Sequence, residues 1–129
     1  VLIKLNIIVI DNFIILMIIC AELRNGHVST YSIDAKDYGL ARAPKSALAG
    51  GDAQRNAALL LDVLQGVPGP HRDAVVINAA AALLVSDIAK DLQEGVAIAT
   101  EVINNGKAQS TLDELIRVSQ NARDISKDT

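Results

Sequence analysis

A mostly α-helical chain with an N-terminal β-hairpin or strands is the fold class the sequence predicts, and three observations carry the prediction. Helix start and stop signals follow one another from Asp52 onwards; β-branched residues crowd the N-terminal region; and aromatic residues are almost absent. Phe13, Tyr31 and Tyr38 are the only three, against a large stock of Ala, Leu, Val and Ile, so the core must be aliphatic.

At 129 residues the chain is the size of one ordinary domain, or part of one. Lys and Arg number 12 against 15 Asp and Glu, a formal charge of −3. That leaves no basic stripe for a phosphate backbone, and nucleic acid is not an expected partner. The single cysteine, Cys20, has no partner for an internal disulfide and no Cys or His at metal-ligand spacing. This fits a reducing compartment, and the expected location is cytoplasmic.

Residues 1–20 contain only Lys4, Asn6, Asp11 and Asn12 as polar members, and the composition changes sharply after Cys20. Roughly 20 apolar residues would span a bilayer. Asp11 and Asn12 would then sit near its centre, where an Asp costs about 2.5–3.5 kcal/mol, so a membrane role is disfavoured. A secretory signal would want a basic start and a small-residue cleavage site, which "IICAEL" does not supply. The abundance of Ile and Val suggests instead two buried strands, 5–10 and 13–19, joined at Asp11-Asn12. A third reading is out-of-frame sequence, since A/T-rich codons translate into Ile and Asn.

The next elements are punctuated by turn residues. Asn25-Gly26 is the favoured pair for a two-residue hairpin turn, flanked by Glu22-Leu23 and by Val28, Tyr31 and Ile33. The stretch 34–52 carries Gly39, Pro44, Gly50 and Gly51 with no sustained period, and is expected to be an ordered surface loop. Asp52 can cap a first helix, with Ala53, Ala57, Leu60, Leu61 and Leu64 on its inward face and Gly66 ending it.

A second helix is predicted over 73–89 after Pro68 and Pro70. Between Ala74 and Val85 its one polar residue is Asn78, so it is expected to be surrounded on most sides, with Ala79 to Ala82 permitting close backbone approach. Asn78 would then be buried against a neighbouring loop's backbone, because a buried amide without a partner costs about 1–3 kcal/mol. Asp91 and Glu94 stand at capping-box spacing before a third helix that closes at Asn105-Gly106. Ser110 and Asp113 are expected to start a fourth, with Leu112, Leu115 and Ile116 inward and a tail fraying from Asn121.

Several segments together resemble the C-terminal part of anthranilate phosphoribosyltransferases, over residues 22–120. They are Asp37-Tyr38-Gly39-Leu40, Gly50-Gly51-Asp52-Ala53 with Asn56-Ala57, Gly69-Pro70 with Arg72-Asp73, Asn78 through Leu83, and the final stretch 112–120. The resemblance implies an α/β family fold of the nucleoside phosphorylase and phosphoribosyltransferase type. It also implies a homodimeric transferase of tryptophan biosynthesis that moves phosphoribosyl from phosphoribosyl pyrophosphate to anthranilate with Mg²⁺. Residues 21–129 would be the C-terminal part of the family's α/β domain, and residues 1–20 a segment that does not match it.

The family's glycine-rich phosphate loop and its magnesium-holding Asp-Glu pair lie upstream of the matched region, so the resemblance implies a fragment, inactive alone and holding no metal. No residue is assigned a catalytic, cofactor-binding or metal-binding role. Gly50-Gly51-Asp52 imitates a phosphate loop but lacks the family's preceding Gly-Thr, and no predicted strand leads into it. Asp113-Glu114 imitates a metal pair, yet consecutive helical residues point about 100° apart. His27 and His71 are lone histidines without a nucleophile nearby. Arg72, a cation near a helix N-terminus, is expected to need a carboxylate partner. Two other classes remain open: a noncatalytic helical protein-interaction module and a membrane-tethered remnant.

Overall fold

The computed structural model describes residues 8–9, 17–24 and 26–125. Three strands form an antiparallel sheet in the order β1 (Ile8–Val9), β2 (Met17–Arg24), β3 (His27–Asp34). Arg24 pairs with His27, and Gly26 in the turn between them has φ 80°. This left-handed value is open to glycine without steric cost and twists the hairpin the right way. β2 runs unbroken from Met17 into the hairpin. The expected turn at Asp11-Asn12 lies outside the described residues.

β3 delivers the chain to the core. Ile33 is buried near its end, and a 3₁₀ turn, Ala35–Tyr38, follows at once. The Asp34 carboxylate accepts from Lys36 N–H (3.1 Å), while Gly39 at φ 74° closes the turn, so that Ala35 and Leu40 both face inward. The expected surface loop beyond is mainly irregular, with one further 3₁₀ turn at Lys45–Leu48.

α1 (Ala53–Leu64) begins where Asp52 accepts from Arg55 N–H at 2.8 Å and ends before Gly66, at φ 79°. Its inward residue is Val63; Leu60 and Leu61 are 46% and 40% exposed, which corrects the expectation that both turn inward. Too few neighbours lie beside this helix to cover its broad apolar face.

α2 (Pro70–Val85) is the hub, and two expectations fail on it. It stops at Val85 rather than continuing to 89, because Asp87 takes φ 58° and the N–H groups of Asp87 and Ile88 turn back to Leu84 O and Leu83 O. This is the backbone pattern of a Schellman stop, built without glycine. Asn78 is exposed, not buried; its Nδ2 donates to Ala74 O of its own helix at 2.7 Å. The helix buries Val76, Ile77, Ala80 and Ala81 on one side, while Val75, Asn78 and Ala82 share an open side.

α3 (Leu92–Asn104) starts at Asp91, whose carboxylate accepts from Glu94 N–H (2.8 Å), and Glu94 Oε2 in turn accepts from Lys90 N–H (2.8 Å). Leu92, Val96, Ala99 and Ile103 recur at helical spacing and are buried against α2. The two backbones come close where Gly95 meets Ala80, in keeping with the close approach expected of the alanine run.

α4 (Lys107–Ile125) starts earlier than the sequence suggests, because Asn105 Oδ1 accepts from Lys107 N–H (3.1 Å) and takes the capping role expected of Ser110. Ser110 Oγ instead donates to Gly106 O (3.1 Å). Leu112 is half-buried, but Leu115 and Ile116 are exposed, the reverse of the expected inward face; past its first turns α4 has no neighbour to pack on among the described residues. The helix continues through Ile125, beyond the point where fraying was expected.

Candidate functional site

The polar groups that the sequence singles out fall into three separate places. At the first, Gly50 and Gly51 precede α1. The Asn56 carboxamide grips this loop twice: its Oδ1 accepts from Gly51 N–H (2.8 Å) and its Nδ2 donates to Gly51 O (2.9 Å). A Cβ on Gly50 would stand 2.6 Å from Asn56 Oδ1, so the grip requires glycine there. A phosphate loop offers free N–H groups to an anion. Here Gly51 N–H is committed to Asn56 and Arg55 N–H to Asp52, and the Asp52 carboxylate occupies the place an anion would take. Asn56 was visible in the sequence as part of a motif, but its grip on Gly51 was not.

The second place is the start of α2. Asp73 lies in its first turn, where a carboxylate is favoured by the helix dipole, and its Oδ2 accepts from Ala41 N–H at 3.0 Å. This fastens the loop after β3 to the hub. Arg72 reaches the other way, its Nη2 donating to Asn104 Oδ1 at 3.0 Å, so its partner is the carboxamide at the end of α3 rather than the expected carboxylate. A carboxamide oxygen meets Nη2 without adding charge beside Asp73. His71 Nε2 and Arg72 Nε are buried without a hydrogen-bond partner. His27 lies in the exposed hairpin, on a different element from His71.

Beside this place, Asp34 and Arg42 clasp the 3₁₀ turn between them. Arg42 Nε donates to Asp34 Oδ1 (3.2 Å) and Arg42 Nη2 to Asp34 Oδ2. The Arg42 hydrogen bond, followed by the Lys36 N–H, holds the Asp34 carboxyl below its ordinary value, and the same pairing raises Arg42.

The third place is the outer side of α4. Glu114 is bidentate with Arg117, at 2.8 and 2.5 Å, while Asp113 accepts from Gln109 Nε2 at 3.0 Å. The adjacent carboxylates therefore serve different partners, and the Arg117 hydrogen bond lowers the Glu114 carboxyl. Among the described residues no three of His, Cys, Asp and Glu converge so as to hold a metal ion. Among them, too, no helix is long and apolar enough to cross a membrane. The first two places fasten loops to helices and α2 to α3, while the third pairs side chains within α4. None juxtaposes a nucleophile with a base.

Residues 16–109 match the model of the "Glycosyl transferase family, a/b domain". Among curated proteins, the chain is 52% identical over 99 residues to an anthranilate phosphoribosyltransferase of Rhodopseudomonas palustris (strain TIE-1), covering 77% of this chain and 29% of that protein. It is 46% identical over 99 residues to one from Desulforamulus reducens, with the same coverage. Among solved structures, anthranilate phosphoribosyltransferase from Thermus thermophilus superposes with a TM-score of 0.69 at 36% identity, over 76% of this chain and 29% of that one. The chain thus spans about 29% of the length of the relatives it matches.

Proposed function

Because the chain belongs to the glycosyl transferase family through its a/b domain, we propose that it serves as the helical wall of an anthranilate phosphoribosyltransferase acting in tryptophan biosynthesis. The observation that carries this reading is the identity of 52% over 99 residues, which covers most of the chain. The complete enzyme would move phosphoribosyl from phosphoribosyl pyrophosphate to the amino group of anthranilate, working as a homodimer in the cytoplasm.

That reaction displaces pyrophosphate from an anomeric carbon. It needs a polyanionic leaving group and a developing oxocarbenium ion to be stabilised together, by fixed N–H donors, carboxylates and a divalent cation. Magnesium supplies charge neutralisation at the pyrophosphate when bound. The described residues do not fit that ion, since no carboxylate cluster converges. What they contribute is a packed scaffold: α2 and α3 in close contact, with the loops before α1 and after β3 pinned to the helices by Asn56 and Asp73. Residues 21–129 would form this scaffold, residues 1–20 would stand outside it, and no catalytic, substrate-binding or metal-binding role falls to the residues named above.

A two-part experiment tests the reading. In the Rhodopseudomonas palustris enzyme the region that corresponds to residues 22–120 is replaced by those residues, and the chimera is placed in a tryptophan-requiring strain that lacks its own. Growth without tryptophan is expected, whereas a chimera that folds but fails to support growth removes the assignment. The chain as it stands should consume anthranilate, followed by its fluorescence, no faster than a blank containing phosphoribosyl pyrophosphate and Mg²⁺. Turnover above that blank would place a complete site within these residues.

A further inference from the structure

The junction between α3 and α4 is an Asn-Gly step, Asn105-Gly106, whose chemistry and geometry pull in opposite directions. A backbone amide nitrogen that follows asparagine can lose its proton and attack the carboxamide carbon. The new C–N bond closes a five-membered succinimide, the Cγ–Nδ2 bond breaks, and ammonia leaves. Water then opens the ring at either carbonyl, giving aspartate or isoaspartate. Glycine favours the reaction because no side chain hinders the attacking nitrogen.

Asn105 is exposed, so water and base have access to it. Its backbone conformation opposes ring closure. At φ −89° and ψ 3° the Gly106 nitrogen points away from Cβ, and roughly a third of a turn about ψ is needed to bring it round to Cγ. Four hydrogen bonds resist that rotation. Asn105 N–H donates to Glu101 O (2.9 Å) and Gly106 N–H, the nucleophile itself, to Ile103 O (3.1 Å). The carboxamide oxygen is held by Lys107 N–H (3.1 Å), and Ser110 N–H fixes Gly106 O (3.0 Å). Turning ψ therefore unmakes the end of α3 and the cap of α4 together.

We propose that Asn105 is a gated modification site: inert while the α3–α4 junction is closed, it converts to succinimide and then to aspartate or isoaspartate whenever the junction opens. The two products differ in consequence. Aspartate keeps an oxygen acceptor for Lys107 N–H and places a negative charge at the α4 N-terminus, where the dipole favours it. Isoaspartate inserts a methylene into the main chain, so α4 can no longer follow α3 in its present register. Each opening that reacts leaves a permanent covalent mark. This inference is independent of the enzymatic assignment.

The full chain is incubated in weakly alkaline buffer, folded and in concentrated urea, and deamidation at Asn105 is followed by peptide mass mapping and by isoaspartyl methyltransferase labelling. The folded chain is expected to react at least about tenfold more slowly, the factor for an opening that costs only about 1.4 kcal/mol. Across sub-denaturing urea the rate should rise in parallel with hydrogen exchange at Gly106 N–H. Asn105→Ser, which keeps an oxygen cap but has no carboxamide, should show no mass change at the junction. Equal rates in the folded and unfolded chains, no reaction in the unfolded chain, or a rate that ignores Gly106 exchange would each overturn the proposal.

Discussion

A Cβ added to Gly95 would stand 2.7 Å from the carbonyl oxygen of Ala80, so α2 and α3 touch backbone to backbone at this point. Two effects of Gly95→Ala oppose each other. Alanine is favoured over glycine inside a helix by about 1 kcal/mol. Forcing the helices apart disturbs the packing of Val76, Val96 and Ala99, and overpacking of this kind costs about 1–3 kcal/mol. The obstacle is backbone and cannot swing aside, so the variant should be less stable. A lower urea midpoint checks this; an unchanged or higher one would show that the helices part at no cost.

Asp87→Gly should act in the opposite direction. At φ 58° a non-glycine residue bears a left-handed cost of about 1–2 kcal/mol. Glycine's extra freedom in the unfolded chain takes back about 0.4–1 kcal/mol. The net expectation is a gain of up to roughly 1.6 kcal/mol, seen as a higher thermal midpoint with an unchanged helix signal in circular dichroism.

Asn78 tests how α2 meets its surroundings. Its amide serves the Ala74 carbonyl and lies in solvent, so no buried group depends on it. Asn78→Ala should raise stability by up to about 0.7 kcal/mol through helix propensity alone. Destabilisation beyond about 1 kcal/mol would instead mark the removal of a buried partner.

Acid should loosen the clasp over the 3₁₀ turn. In the folded protein the Asp34 carboxyl lies below its ordinary value because Arg42 and Lys36 N–H favour the charged form. The stabilisation is therefore fully present above the unfolded value, near about 3.9, and disappears as pH falls through the lower folded one. Carboxyl-carbon NMR should show Asp34 titrating below that reference, and Arg42→Met should move it upward. An Asp34 midpoint unaffected by the substitution would mean that the pair does not persist in solution.

Legibility in the sequence followed the range of the interactions. The caps at Asp52 and Asp91, the hairpin turn at Gly26 and the stops at Gly66 and Asn105-Gly106 depend on neighbours within a few positions, and each stands where the sequence placed it. The end of α2 did not, because Asp87 adopts a conformation normally signalled by glycine. The apolar run of α2 implied burial all round, but apolarity only permits burial. Which side is covered depends on α3 and the loops, and Asn78 lies on the uncovered side. The partners Arg72 and Asn104, Asp73 and Ala41 lie 32 positions apart in each case, and no local pattern announces them.

The bond from Ala41 N–H to Asp73 has a kinetic meaning as well as a structural one. The segment it holds also reaches α2 through Ala35 and Leu40, which share one core cluster with Val76 and Ile77, so the entropy of closing that long loop is spread over several contacts. An interaction of such long range is expected to form late in folding. Formed late, it would slow the loss of the assembled helices more than it speeds their assembly.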